Sequence, residues 1–429
     1  MSGRLILACL ALGCCTSAFA QVDFEQPPID YLKATPNDVI TKLQKKIDTG
    51  AVKFTRDDGT GYLKSLLAAL EVPVSSQGLV FSKTSFQLRR ISPRTPRAIY
   101  FGDDVYIGFV RGGDVLELST VDPELGANFY TLSQDEDDRP QFQRHTYECL
   151  QCHGSTMTKG VPGHLVRSVY TAPDGQPILR AGTYLTDHTS PLAERWGGWY
   201  VSGKHGAQRH LGNLLVRADD DPRAMNLDRT ANVTDLKPYF NPDGYASPHS
   251  DLVALMVLEH QTMLHNLITR ANFLTRITLR DAAVMNKMSA QPEEHLSESM
   301  LRRIDYAAEP VVKYLLFAGE VPLTDPIAGT SAFAEEFAAR GPRDTQGRSL
   351  REFDLQKRLF KYPCSYLIYS EAFDRLPLPV KERIYVRLGE VLGGQDTGKD
   401  YQHLSSADRT AVAAILRETK PEAAKHWAN

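Results

Sequence analysis

AIYFGDDVYIGFV, residues 98–110, sets the β character of this chain. Two β-prone runs, Ala98-Ile99-Tyr100-Phe101 and Val105-Tyr106-Ile107-Gly108-Phe109-Val110, flank Gly102-Asp103-Asp104. Aromatic and β-branched side chains suit a pleated surface, and a short Gly/Asp turn lets two such runs fold back on each other. The same chemistry recurs at Gly112-Gly113-Asp114 before Val115-Leu116-Glu117-Leu118, and Leu79-Val80-Phe81 supplies a further run upstream. Residues 78–132 therefore read as antiparallel strands joined by tight turns.

Moving outward, the pattern changes. Toward the N-terminus, residues 21–72 read as a short helical cap. Asn37 and Asp38 can start a helix reaching about Ile47, and residues 62–70 have helical spacing that Pro73 ends. Toward the C-terminus, residues 165–170 and 177–185 read as two strands joined at Asp174-Gly175, and residues 196–201 as another. Residues 73–215 thus form one β-rich region. Residues 216–250, rich in Asp, Pro and Asn, read as a linker. From 251 to 429 the reading is helical, with candidates at 251–276, 293–317, 331–340, 356–369, 379–392 and 406–418. The expected fold class is α+β: a β-rich region packed against a C-terminal all-helical region, with a short helical N-terminal cap.

Of the 429 residues, the first twenty, MSGRLILACLALGCCTSAFA, stand apart. Arg4 forms a positive n-region, residues 5–15 an apolar h-region, and Ala18-Phe19-Ala20 a small-x-small cleavage site. This is the pattern of a secretory signal peptide spanning 1–20, and it implies a periplasmic or otherwise exported protein. A lipoprotein is the competing reading because Cys14 and Cys15 lie in the apolar run, but Leu12 sits at the wrong position for a good lipobox. No later apolar run is long enough to span a bilayer. A formal net charge of −3 offers no electrostatic footprint for nucleic acid.

Chemistry concentrates at Cys149-Leu150-Gln151-Cys152-His153. C-x-x-C-H places two thiols one helical turn apart and an imidazole directly after the second, which suits covalent attachment of one c-type haem. Zinc ribbons and thioredoxin-like sites also carry C-x-x-C. A zinc site wants a second closely spaced pair, whereas Cys364 is the one cysteine left once Cys9, Cys14 and Cys15 depart with the signal. A thioredoxin-like site wants a βαβ unit, whereas polar sequence precedes this motif and a Gly-rich loop follows it. Cys364, set among Tyr362, Tyr366, Leu367 and Ile368, reads as a buried free thiol. The acidic run 135–138 reads as a solvated turn, with calcium binding as the alternative.

His153 supplies one axial ligand, and the opposite face of the iron has several candidates. His164 follows the turn Gly160-Val161-Pro162-Gly163, and Arg167 beyond it can pair with a haem propionate. His260 and Met263 lie one turn apart on the helix at 251–276, whose first half is apolar all round and whose Glu259, His260, His265 and Asn266 are then costly to bury unpartnered. Glu259, His260 and His205 are the candidates for proton transfer, and Asp187-His188 is a further acid–base pair. Each has a plainer reading as a satisfied polar group in a turn or helix.

At Cys149, Cys152 and His153 the chain resembles the c-type cytochromes, and elsewhere it resembles large exported single-haem proteins described only by that domain. The resemblance implies one covalent haem c, thioether bonds from both cysteines, iron ligation by His153, a redox partner protein and electron transfer. Two alternatives stay open: a haem enzyme of peroxidase or oxidase type acting on a small molecule at an open iron, and a non-catalytic haem-based sensor or scaffold. No second C-x-x-C-H occurs, unlike in di-haem peroxidases.

Overall fold

A computed structural model describes residues 22–137 and 139–427, so the signal peptide expected at 1–20 and Asp138 of the acidic run lie outside the described residues. Within them, the strands form a seven-stranded antiparallel sheet in the order β6-β5-β4-β3-β2-β1-β9. The strands are β1 (Gly78–Val80), β2 (Arg97–Phe101), β3 (Val105–Val110), β4 (Val115–Asp122), β5 (Gly126–Ser133), β6 (Phe142–His145) and β9 (Trp199–Tyr200). A separate ribbon pairs β7 (Arg167–Val169) with β8 (Thr183–Leu185), as the Asp174-Gly175 turn suggests.

Alternation along the strands gives the sheet two different faces. Ala98, Tyr100, Ile107, Phe109, Leu116, Leu118, Tyr130 and Leu132 point one way and are buried. They pack on the N-terminal cap, helices α1 (Val39–Asp48) and α2 (Leu63–Ala69), through Ile40, Leu43, Ile47, Leu63 and Leu66. Asp38 fixes this contact. One carboxylate oxygen accepts from Thr41 N at 2.9 Å to cap α1, and the other accepts from Thr120 and Tyr130 hydroxyls, both at 2.7 Å. The opposite face carries Arg97, Gly108, Glu117, Ser119 and Phe129 and looks toward the C-x-x-C-H segment.

From β6 the chain passes directly into α3 (Tyr147–His153), the helix holding the motif. The helical region follows with α4 (Leu252–Ser289), α5 (Glu298–Leu315), α6 (Phe333–Ala339), α7 (Glu371–Asp374), α8 (Leu378–Leu392), α9 (Ser406–Thr419) and α10 (Pro421–Ala424). Its core is continuous with the sheet: Val80, Phe101, Tyr106 and Trp196 belong to one apolar cluster with Leu252–Leu258 and residues of α5, α8 and α9. The expected architecture, a β-rich region packed against a C-terminal helical region, is what forms.

Four details depart from expectation. The helix at 251–276 runs on to Ser289, because no Gly or Pro interrupts it before Pro292. Residues 356–369 are not a helix: Phe353 bridges Phe360 across a turn and only Tyr366–Tyr369 winds as a 3₁₀ turn, since Pro363 lacks the amide a helix needs. The helical region is not purely helical, as β11 (Ala328–Gly329) pairs with β10 (Gly203–Lys204). Residues 216–250 are no free linker: Leu236 and Phe240 are buried beside Tyr200, and Gln77 donates to Ser247 O and His249 O at 2.7 and 2.6 Å. Polar composition there reflects a lack of regular structure, not a lack of packing.

Replacing Asp38 by Ala removes a helix cap and leaves two buried hydroxyls unpartnered, so we expect a loss of about 2–4 kcal/mol in unfolding free energy. Urea denaturation measures it, and a loss below about 0.5 kcal/mol, the scale of an ordinary surface change, would show that Asp38 does not tie the cap to the sheet.

Candidate cofactor site

None of the seven residues of α3 is buried. Cys149 is half-buried and Cys152 exposed, and both are free thiols. Tyr147, in the first turn, is 73% exposed. Burial, followed by the nearby Glu148 and Glu117 carboxylates, pushes the Cys149 thiol up to about 11, so it rests as the thiol.

The imidazole of His153 is turned inward. Its ring lies 4.9 Å from the Phe129 ring, centroid to centroid, and its Nδ1 is 2.9 Å from Gly163 O. A carbonyl only accepts, so Nδ1 carries the proton and donates, and Nε2 keeps its lone pair. Burial pulls the His153 pKa below its ordinary value, which favours this neutral form. The loop answers in kind, with Gly163 N donating to His153 O at 2.8 Å. Gly163 is a glycine for a steric reason, because a Cβ there would crowd Asn266, coming within 2.8 Å of its Cγ.

Asn266 on α4 holds the loop in place. Its Oδ1 accepts from His164 N at 2.8 Å and its Nδ2 donates to His164 O at 2.6 Å. His164 itself is buried, with Nε2 2.5 Å from Ser119 Oγ, its ring 4.4 Å from that of Tyr106 and its Nδ1 without a hydrogen-bond partner. Burial first, then His265 and His153, hold His164 well below the usual imidazole range. The structure therefore brings His164 near the motif, on the sheet face that also meets His153.

The other candidates stand elsewhere. His260 has both nitrogens engaged, Nδ1 with His188 Nδ1 at 2.9 Å and Nε2 with Ser365 Oγ at 2.8 Å. His188 reaches Ala318 O through Nε2 at 3.4 Å, so one consistent set of neutral tautomers runs from Ser365 through His260 and His188 to that carbonyl. Asp187 does not pair with His188; its Oδ1 accepts from Thr189. His205 is a turn clasp, with Nδ1 donating to Gln208 O and Nε2 accepting from Asn232 N, both at 2.8 Å. Glu259 is buried against Arg195 at 3.1 Å, and burial lifts its carboxyl to about 7 despite that arginine. Met263 is partly buried against the main core. Arg167 donates through Nε to Thr183 Oγ1 at 2.8 Å across the β7–β8 ribbon.

Sequence reading passed over the sheet floor beneath α3. Glu117 sits between Arg97 Nη2 at 2.7 Å and Gln87 Nε2 at 3.0 Å, and the charges of Arg97 and Glu117 both act on His153. Nothing in the spacing of residues 97 and 117 marks them as neighbours of residue 153; strand register alone brings them together. Among the described residues no group of three or more His, Cys, Asp or Glu side chains is placed to hold a metal ion. No family model, curated protein or solved structure matches the chain.

Away from the motif, the buried His188 gives the fold a pH signature. Burial pulls the His188 pKa down to about 4, so the unfolded chain takes up this proton near pH 6.5 while the native state resists it. Stability from this group is complete above pH 6.5 and is lost as pH falls toward 4. His188→Gln should make the decline in urea midpoint between those two pH values shallower, the other buried histidines keeping the rest of it; an unchanged slope would show that His188 is not kept neutral by the fold.

Proposed function

We propose that this protein is an exported c-type cytochrome that binds one haem covalently and takes part in electron transfer. Cys149 and Cys152 form the thioether bonds and His153 Nε2 ligates the iron. When bound, the haem supplies a one-electron Fe(III)/Fe(II) couple. The observation that carries the reading is the Nδ1–H bond from His153 to Gly163 O, 2.9 Å long, on a helix with two free thiols. Metal-ligating histidines characteristically give their second nitrogen to a carbonyl or carboxylate, which fixes the tautomer and aims the lone pair. Export rests on the signal pattern at 1–20, which agrees with covalent haem attachment outside the cytoplasm.

The chain's own part is to hold the ligand and keep water off it. Phe129 backs the His153 ring, and Asn266 anchors the loop that supplies the carbonyl. His205 and His260 have both ring nitrogens hydrogen-bonded, so neither is free to move a proton for a haem enzyme, and His260 offers the iron no lone pair without breaking a contact. His164 lies nearest the motif but on the sheet face that also meets His153, and Met263 packs against the main core, so the electron-transfer reading leaves the second ligand unassigned.

Two measurements test this. Cys149→Ala combined with Cys152→Ala should abolish peroxidase-based haem staining in denaturing gels, and persistence of the stain refutes the assignment. The absorption spectrum of the ferrous protein should be that of a six-coordinate low-spin haem that ignores carbon monoxide. Rapid carbon monoxide binding would favour the open-site enzyme instead.

A further inference from the structure

Residues 22–31 run beneath the motif. Val22, Phe24, Ile29 and Tyr31 are buried, and with Leu125, Val161 and Phe273 they form a small apolar cluster of their own. It is separate from the two large cores, one between the sheet and the N-terminal cap and one centred on α4. Small satellite clusters open locally more readily than main cores. Leu150, the middle residue of α3, packs against this one.

The segment is tied down on one side and reaches the motif on the other. Arg276 Nη2 donates to Pro28 O at 2.7 Å, Arg280 donates to Pro27 O, and the Tyr31 hydroxyl donates to Ala127 O at 2.7 Å. These bonds fix residues 27–31 to α4 and β5. Toward the motif, Val22 N donates to Gly160 O at 3.2 Å. The Phe24 ring stands against the glycine that ends α3: a Cβ on Gly154 would lie 3.2 Å from Phe24 Cζ. Phe24 meets the Tyr31 ring edge-on, with centroids 5.7 Å apart, and Tyr31 lies within electrostatic reach of Cys149. No residue of α3 is itself buried, so its hold on the fold rests largely on Leu150 in this seat and on the His153 ring against Phe129.

We infer that residues 22–31 are a strap that seats the motif helix and gates access to Cys149. With α3 on its seat, Cys149 is half-buried while Cys152, on the same helix, stays exposed. Lifting α3 from Phe24 uncovers both thiols and leaves the sheet and α4 in place, because the satellite cluster is the core that opens. An enzyme that modifies both thiols therefore acts before the strap closes or on the open form. The opening makes and breaks no covalent bond, and it operates whether or not the group attached is a haem.

The test is alkylation of the folded mature chain with iodoacetamide, each cysteine being followed by peptide mass analysis. The chain is made under haem limitation so that its thiols are free. Its three cysteines read three levels of opening: exposed Cys152 none, Cys149 the strap, and fully buried Cys364 the whole fold. Phe24→Ala should speed alkylation of Cys149 at least tenfold while Cys152 and Cys364 each stay within twofold. A smaller rise at Cys149, or one that Cys364 shares, overturns the inference. Asp38→Ala, which weakens the opposite face of the sheet, should leave Cys149 within twofold; a larger rise would mean that Cys149 reacts through opening of the whole fold, and overturns it too. So does a parent chain in which Cys364 reacts as fast as Cys152, because the strap then does not close on the chain's own packing. If Phe24→Ala does not accumulate, Val22→Ala replaces it, with a rise of at least threefold expected at Cys149 and a smaller one overturning the inference. Whether the peptide with Cys149 and Cys152 carries haem in a haem-replete host is read separately, so failure of the haem reading leaves this test intact.

Discussion

Helix α4 is buried along most of its first six turns, and that burial includes Glu259, His260, Gln261, His265 and Asn266. Polar groups taken out of water cost several kcal/mol unless they find partners. Each partner here comes from a different part of the chain. Gln261 donates to Gly102 O at 2.7 Å and accepts from Tyr366 at 2.6 Å, His265 meets Tyr106 at 3.0 Å, His260 meets His188 and Ser365, and Asn266 grips the loop after the motif. The need to satisfy one helix thus draws the sheet, the post-motif loop and the C-terminal region onto a common axis. An apolar α4 would bury as much surface, but it would not specify which loop docks where.

This arrangement explains the contrast between the two sides of the motif. The His153 side is rigid, because its carbonyl partner belongs to a loop whose backbone is held at both donor and acceptor by Asn266. The thiol side is open, because α3 is short and none of its residues is buried. For the haem proposed above, a preformed ligand geometry next to exposed thiols would aim the imidazole before the thiols react.

Much of the fold was legible in local sequence, where local physics decides. Strand alternation at residues 98–118, the Asp38 cap and the apolar run Leu252–Leu258 each carry their signal within a few residues. Errors came where distant partners decide. Residues 216–250 look like a linker because their packing partners, Tyr200 and Gln77, lie elsewhere in the chain. Residues 356–369 carry apolar residues at helical density, yet Pro363 and the Phe353–Phe360 bridge enforce a turn. At the site, C-x-x-C-H is read directly, whereas Arg97 and Asn266 are not, since strand register and helix packing place them. The polar residues of α4 did give a signal, as groups too costly to bury alone, but their partners could not be read from it.

The most direct test of the central claim is cysteine alkylation of the mature protein, isolated from its native host and fully denatured, followed by peptide mass analysis. The account requires that Cys364 alone is alkylated and that the peptide containing Cys149 and Cys152 carries the added mass of one haem. Alkylation of all three cysteines, with that peptide at its unmodified mass, would contradict it.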